Sequence, residues 1–425
     1  MKEKLKTVLL VLLVTSSLIQ SYFLMYRLPG SDSVAKSATN YIKTDDMGPE
    51  ERVENLIYPD KMIIHMGGDK HTIFYPHSTF YNLIFSRLQA RSFDSFQRRS
   101  IQNIDISELR SQNDGIELTF ASGVPVSLLE RVMQIRPDAL FQAEQINRIW
   151  IYNVKNESKA HALFFSTEGG VVYEAGKADL TAQDVQQHVD FGKQWTAYTS
   201  IKGSYYIPEA DIDMMEAEFE IGVYATEQMH RSLFFDPSIT RNIREKDGSE
   251  IYTDSKRSLQ VRQEQKWMSY TDPAALPAGE SSADTDVLAA VDFVNQHGGW
   301  NGEYRLSLVG SGEEENGVVF QQYYGAYPVL DTPQFKYGVM TLNLQQGTVS
   351  AYQRSLIYSK SGSVSKKIKK LLGGNDLKAK LKNAESISGI VDLYPAYQPS
   401  LTKKGMLLTP VWAVKLQNGT VTVLE

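Results

Sequence analysis

The feature that most constrains this chain is an uninterrupted apolar stretch near its N-terminus. Residues Thr7 to Tyr26 read TVLLVLLVTSSLIQSYFLMY and contain no charged side chain. At about 1.5 Å of rise per helical residue, roughly 20 residues cross the hydrocarbon core of a bilayer. The sequence therefore predicts one transmembrane helix over residues 7–26.

The flanks of this stretch predict its orientation. Lys2, Lys4 and Lys6 precede it, and a basic flank of this kind stays in the cytoplasm. We therefore expect a cytoplasmic tail over residues 1–6 and an extracytoplasmic remainder, in a single-pass protein of the cell membrane. The competing interpretation is a cleaved secretory signal, for which Ser33-Val34-Ala35 is the nearest candidate site. The length of the stretch and its aromatic end, which includes Tyr22 and Tyr26, favour an uncleaved anchor.

Composition narrows the classes of function. Hydrophobic residues make up 42% of the 425 residues and charged residues 22%, as in ordinary globular proteins. The net charge of -6 argues against broad electrostatic binding of nucleic acid. The chain has no cysteine, which excludes disulfides, thiolate metal sites and cysteine nucleophiles.

The order of helical and strand patterns predicts the architecture. Helices followed by alternating strands occur twice after the anchor, which indicates an α+β fold of antiparallel sheets with packed helices. Residues 271–285 are rich in Pro, Ala, Ser and Asp and form the clearest linker. The predicted divisions are a juxtamembrane tether (27–52), an N-terminal ectodomain (53–143), a central α+β domain (144–270), the linker (271–285) and a C-terminal α+β domain (286–425).

Three of the seven histidines lie close together in the sequence. His65 and His71 fall on opposite strands of a predicted hairpin with a Gly67-Gly68 turn, and His77 follows, so a metal site is conceivable. The alternative is a set of surface or hairpin histidines, because no carboxylate stands at a spacing that would complete a site. The motifs H-E-x-x-H and G-x-S-x-G are absent. We therefore expect no enzyme, no cofactor and no metal.

The polar residues of the anchor are its most informative feature. At 100° per residue, Ser16, Ser17, Gln20 and Ser21 fall within an arc of about 140°. Small and amide side chains on one face permit close helix approach and hydrogen bonds in lipid. Serine can instead bond its own helix backbone, but an unpaired amide such as Gln20 is costly in hydrocarbon. These four residues are the predicted contact with a partner helix. A tail of about six residues is too short to signal alone.

Several stretches resemble the YycH family, the accessory membrane regulators of the sensor histidine kinase YycG (WalK). They are LFFDPSITRNIREKDGSEIYTDSKRSLQV (Leu233–Val261), MSYTDP (Met268–Pro273), VFQQYYGAYPVLD (Val319–Asp331) and LTPVWAV (Leu408–Val414). A short basic start, one membrane helix and a three-part ectodomain without a catalytic motif are also similar to that family.

The resemblance implies a protein paired with its sister YycI, the two contacting the kinase through their transmembrane helices. It also implies that the C-terminal domain is similar to YycI and to small PepSY modules, and it brings no catalytic residues. The alternative function is an extracytoplasmic binding module for a cell-wall fragment or a peptide, with the helix as a simple tether. Tyr323, Tyr324 and Tyr327 beside a turn motivate that alternative. A metal-dependent hydrolase built on His65 and His71 is a third option.

Overall fold

A computed structural model of the chain describes residues 4, 6, 13–17, 46–201, 203–264, 266–273, 282–310, 317–332, 335–383 and 389–424. The chain forms two compact units, residues 1–42 and residues 43–425. In the first unit, residues 4, 6 and 13–17 are helical. Within the described ranges, no helix has the length and apolar character needed to span a membrane. Most of the predicted span at 7–26 lies outside those ranges.

The second unit consists mainly of strands. The helices are α1 (Thr79–Gln89), α2 (Ile106–Gln112), α3 (Val126–Val132), α4 (Ala139–Gln142), α5 (Ala182–Gly192), α6 (Thr226–Leu233), α7 (Ala283–Gln296) and α8 (Gly374–Asn383). The strands are β1 (Lys61–His65), β2 (His71–Phe74), β3 (Ser92–Ser100), β4 (Gly115–Pro125), β5 (Gln134–Arg136), β6 (Gln145–Asn153), β7 (Ala160–Ser166), β8 (Val171–Ala178), β9 (Tyr198–Ile201), β10 (Tyr205–Pro208), β11 (Ile212–Val223), β12 (Arg241–Arg244), β13 (Glu250–Thr253), β14 (Ser258–Arg262), β15 (Trp267–Thr271), β16 (Glu303–Val309), β17 (Gly317–Tyr324), β18 (Tyr327–Pro328), β19 (Val339–Gln345), β20 (Thr348–Ser355), β21 (Ile357–Leu371), β22 (Ile390–Leu401), β23 (Met406–Leu416) and β24 (Val421–Val423).

A ten-stranded sheet occupies the N-terminal half, in the order β10-β9-β2-β1-β4-β6-β7-β8-β3-β5. Its pairs are antiparallel apart from β3 and β5. The predicted hairpin is confirmed: β1 and β2 pair directly, and Gly67 and Gly68 have the positive φ that such a turn requires. Strand β4 pairs with β6, so the sheet is continuous across residues 143 and 144, where we predicted a domain boundary.

A nine-stranded sheet follows, in the order β12-β13-β14-β15-β20-β19-β17-β16 with β18 beside β17. Strand β15, which precedes the predicted linker, pairs with β20, which follows it. This sheet therefore joins the central and C-terminal regions of the predicted division. Of the linker itself, residues 274–281 lie outside the described ranges.

The remaining sheet has five strands, with β21-β11-β23-β22 in order and β24 on β23. The edge of this sheet includes the basic segment from Ser363 to Asn383, for which the sequence predicts helix in part, with a break at Gly373-Gly374. The chain is extended to Leu371 as β21, and a helix runs from Gly374 to Asn383, so the partial helix is confirmed and the preceding strand was not predicted. Pairing along the length of β11 outweighs the local helical tendency, and the exposed lysines on β21 suit a strand edge that must not pair further.

The main core is shared between the ten-stranded and nine-stranded sheets. One buried cluster includes Phe93 and Phe164 from the former and Leu259 and Phe320 from the latter. A separate cluster, which includes Trp412, lies against the five-stranded sheet. The α+β class and the predominance of antiparallel sheets are therefore confirmed.

The last residues of the predicted tether belong to the folded body. The backbone N–H of Met47 donates to the carbonyl of Gly298 at 2.7 Å, and the Trp300 N–H donates to the carbonyl of Pro49 at 3.0 Å. The Tyr224 hydroxyl donates to the Met47 carbonyl at 2.7 Å. The Met47 side chain is buried, so the chain enters this unit at a fixed place.

Candidate functional site

The structure describes two of the four residues predicted to contact a partner helix. Ser16 and Ser17 are helical, Ser16 half-buried and Ser17 exposed. Gln20 and Ser21 lie outside the described residues, so the four-residue face stays a prediction. The neighbouring apolar side chains Leu13 and Val14 are 59% and 52% exposed.

The histidine pair lies inside the ten-stranded sheet. His65 and His71 are direct partners across β1 and β2, and both are buried. Their Nδ1 atoms are 3.0 Å apart, so one ring donates to the other. Glu117 Oε2 lies 3.0 Å from His65 Nε2 and accepts its proton, which leaves His65 Nδ1 to accept from His71. His77 is not part of this group and instead contacts the Tyr58 hydroxyl at 3.1 Å.

Glu117 is the centre of a buried charge network. It lies on β4, next to β1, and is 2% exposed. Arg110 Nη2 donates to both of its carboxylate oxygens, at 2.9 and 2.7 Å. Arg148 on β6 approaches the same carboxylate from the other side, with an N–O distance of 3.8 Å. Glu117 was not among the residues predicted from the sequence, although its position in the apolar strand of Gly115 to Phe120 was an available signal.

The network fixes the protonation of its members. Burial alone would raise the pKa of Glu117, but Arg110, the hydrogen bond with His65, and Arg148 outweigh it and lower the pKa well below the ordinary value. Burial lowers the pKa of His65. Burial and the neighbouring His65 lower the pKa of His71 to about 4. An ionised carboxylate therefore lies between two guanidinium groups and a neutral imidazole.

This arrangement stabilises the sheet rather than presenting reactive groups. His65, His71 and Glu117 are buried, and Arg110 and Arg148 are partly buried, with 14% and 25% of their side chains exposed. Trp150 and Tyr206 pack against His65 with ring centroids 5.9 and 6.5 Å away. Across the part of the chain that the structure describes, no group of three or more His, Asp or Glu residues could hold a metal ion. A hydrolytic metal centre on His65 and His71 thus has no third ligand in that part of the chain.

A cavity of about 410 Å³ lies where the three sheets meet. The ten-stranded sheet contributes Tyr75, Ala121 and the residues at the start of β1. The nine-stranded sheet contributes residues of β16, β17 and β19, and the five-stranded sheet contributes residues of β22, β23 and β24. This volume is within the range of small-molecule sites, roughly 300–1,000 Å³.

Two ion pairs form one wall of this cavity. Arg305 pairs with Asp60, and Lys61 pairs with Asp392. The guanidinium of Arg305 also lies over the Tyr323 ring, 4.4 Å from its centroid. Burial opposes the charge of Arg305, but Asp60 outweighs it and raises the pKa of the guanidinium. Both pairs join different sheets, so they fix the relative positions of the sheets around the cavity.

The three tyrosines singled out in the sequence separate in the structure. Tyr323 lines the cavity. Tyr327 packs between two other tyrosines, with ring centroids 5.2 Å from Tyr75 and 6.3 Å from Tyr397. Tyr324 packs on Tyr397 at 5.3 Å. Most of this cluster is therefore core packing between sheets, and the Tyr323 ring, which lines the cavity, is 6% exposed.

Comparison with known proteins gives matches along the chain. The family model "YycH protein, N-terminal domain" matches residues 3–190, and "YycH protein, C-terminal domain" matches residues 202–424. The "Two-component system WalR/WalK regulatory protein YycH" of Bacillus subtilis (strain 168) is 20% identical over 449 residues, covering 100% of this chain and 97% of that protein.

A solved structure shares the fold. The crystal structure of YycH from Bacillus subtilis superposes with a TM-score of 0.72 at 17% sequence identity. The match covers 90% of this chain and 99% of that one. The architecture of sheets described above is therefore similar to that of an experimentally determined protein.

Proposed function

This chain belongs to the YycH family, and from that membership we propose that it is a non-enzymatic regulator of a two-component system of the WalR/WalK kind. The observation that carries the proposal is the extent of the likeness. The Bacillus subtilis relative, named as a WalR/WalK regulatory protein, aligns with the whole of this chain and nearly the whole of its own length. In the network around Glu117, the groups with strongly shifted pKa values have a structural role. This is consistent with regulation rather than catalysis.

The proposed location is the cell membrane, with the N-terminus in the cytoplasm and the bulk of the chain outside. Twenty residues without a charge, from Thr7 to Tyr26, and the preceding lysines support this topology. The high exposure of Leu13 and Val14 on a helical segment suits side chains that face lipid.

The proposed partners are a YycG-like sensor histidine kinase and a YycI-like protein, in a system that controls cell-wall metabolism. The proposed contact is the helix face of Ser16, Ser17, Gln20 and Ser21. In hydrocarbon, lipid tails are as apolar as leucine, so small and hydrogen-bonding residues supply most of the specificity between helices.

The helix contact can be tested by replacing all four residues with leucine and measuring association with the kinase in a bacterial two-hybrid assay. We expect weaker association and altered kinase output, because the leucine face removes the hydrogen-bonding groups. The matched control carries Val11→Leu, Leu18→Ile and Ile19→Leu, which change the opposite face without changing its polarity. Association and output unchanged in the four-leucine variant would refute the proposed contact.

A finer map of the contact comes from single cysteines at each position from Thr15 to Tyr22. The native chain has no cysteine, so every crosslink reports the engineered position alone. A helical contact predicts crosslinks that recur every three to four residues and include positions 16 and 20. Equal crosslinking at all positions would contradict a defined face.

The cavity between the sheets supports a second candidate function. In this alternative, the extracytoplasmic unit binds a cell-wall fragment or peptide, and the helix is a simple tether. Replacing residues 7–26 with an unrelated membrane span distinguishes the two candidates. Loss of kinase regulation favours the helix contact, whereas retained regulation favours the binding module.

A further inference from the structure

The cavity where the three sheets meet has an apolar body and a solvent-facing side. Its apolar lining includes Val319, Leu330 and Val339 from the nine-stranded sheet. Leu308 and Val421 also line it, and each is 41% exposed, which places the opening beside β16 and β24. The site can therefore admit a molecule from solvent and enclose an apolar portion of it.

The polar groups of this cavity include unsatisfied donors. Arg305 is 3% exposed and Tyr75 is 8% exposed. Within the described part of the chain, neither Arg305 Nη1 nor the Tyr75 hydroxyl has a hydrogen-bond partner. A buried donor without a partner is energetically costly, so an acceptor that binds at this position satisfies these donors and is itself stabilised.

Lys415 adds a cation to the same cavity. Its ammonium donates to the carbonyl of Ala121 at 3.1 Å, which uses one of its three donors. No carboxylate oxygen of the described residues lies within 4.0 Å of it. By contrast, the carboxylates of Asp60 and Asp392 pair with Arg305 and Lys61.

The third acid of the lining is also engaged. Asp331 accepts from the backbone N–H groups of Tyr337 at 2.9 Å and Gly338 at 2.7 Å. The acids of this wall therefore have partners, whereas three donors around the cavity have unused capacity. The imbalance favours an anionic acceptor over a cation.

From these observations we propose that the cavity binds a small amphipathic carboxylate. The carboxylate would accept hydrogen bonds from Lys415, Arg305 Nη1 and the Tyr75 hydroxyl, and its apolar part would lie against Val319, Leu330 and Val339. Charge-assisted bonds to a carboxylate are about twice as strong as neutral ones, so the acid is distinguished from its amide. The C-terminus of a short peptide and a short acyl acid share this chemistry.

The test uses the full chain in lipid nanodiscs, with protein-free nanodiscs as the blank. The probes are acetyl-Ala-Ala and hexanoate, each compared with its own primary amide, and binding is measured by saturation-transfer NMR and calorimetry. We expect at least one acid to bind roughly tenfold or more tightly than its amide. Binding of acetyl-Ala-Ala alone identifies a peptide source, and binding of hexanoate alone identifies an acyl source.

Two variants test the assignment. Lys415→Met keeps the side-chain length and removes the charge, so it should reduce acid binding to the level of the amide. Val421→Trp fills the exposed side of the cavity and should reduce binding of acid and amide together. Lys403→Met, an exposed lysine outside the cavity, is the matched control and should bind as the native chain does.

The proposal is overturned if neither acid binds at millimolar concentration while the chain is folded by circular dichroism. It is equally overturned if acid and amide bind alike, or if Lys415→Met binds the acid as tightly as Lys403→Met does. This site does not depend on the kinase-regulating role. A failed binding test therefore leaves the helix contact standing, and a failed two-hybrid test leaves the cavity proposal standing.

Discussion

Replacing Glu117 by glutamine should destabilise the ten-stranded sheet severely. The native carboxylate accepts two bonds from Arg110 and one from His65, and Arg148 lies 3.8 Å away. An amide keeps the volume but removes the charge, which leaves two largely buried guanidinium groups without a carboxylate partner at this place. Removing one partner of a buried ion pair typically costs about 3–5 kcal/mol, and we expect the free energy of unfolding to fall by that amount.

The assay is urea unfolding followed by tryptophan fluorescence and circular dichroism. Coincident transitions would justify a two-state treatment of the folded unit. Glu168→Gln, at an exposed carboxylate of the same sheet region, is the matched control and should change the free energy by no more than about 0.5 kcal/mol.

The difference in the free energy of unfolding between the native chain and the Glu117→Gln variant should also depend on pH. The pKa of Glu117 is lowered in the folded state, so its contribution is complete above the unfolded value of about 4.3 and is lost as pH falls through the folded value. We therefore expect the destabilisation by Glu117→Gln to be smaller at pH 3 than at pH 7. A loss below about 1 kcal/mol at pH 7 would refute the view that this carboxylate holds the network together.

Three further expectations concern other parts of the folded unit. Gly338→Ala should abolish soluble folding or lower the free energy of unfolding by several kcal/mol, because a Cβ there would lie 1.8 Å from the Val329 carbonyl oxygen. Gly169 lies in open space, so Gly169→Ala should have almost no effect in the same urea assay. Trp300→Ala should cost about 3–5 kcal/mol, since the side chain is fully buried; retention of the native urea midpoint would contradict this. Burial lowers the pKa of His71 and of His297 to about 4, whereas the unfolded chain binds protons on histidine near pH 6.5. Acidification from pH 7 to pH 5 should therefore lower the free energy of unfolding by about 1–2 kcal/mol for each of these two histidines. A urea midpoint that does not fall between pH 7 and 5 would contradict the histidine prediction.

Local patterns in the sequence predicted elements that are determined by residues close together in the chain. The Gly67-Gly68 turn and the flanking apolar strands predicted the hairpin on which His65 and His71 meet, and the structure has it. The helix at Ala182–Gly192 likewise begins at a local feature of the structure, the capping box of Thr181 and Asp184, which was not among the predictions. These features depend on residues within a few positions of each other.

What the sequence did not reveal depends on pairing between distant segments. Glu117 lies 52 positions from His65, and their contact exists only because β4 lies beside β1. The cavity needs three sheets whose strands are far apart in the chain, so no spacing or motif marks it. The strand that ends at Leu371 was not predicted for the same reason, since its partner β11 lies roughly 150 residues earlier.

The contacts of residues 46–49 have a mechanical consequence for the folded unit. The chain enters this body along Met47 to Pro49, and its backbone bonds there are made with Gly298 and Trp300, not with the strands that come next in sequence. A force applied at residue 46 therefore acts first on the loop that follows α7. It is then transmitted by α7 to the nine-stranded sheet. Tension, if it reaches this protein from the membrane side, would load the C-terminal half before the N-terminal half.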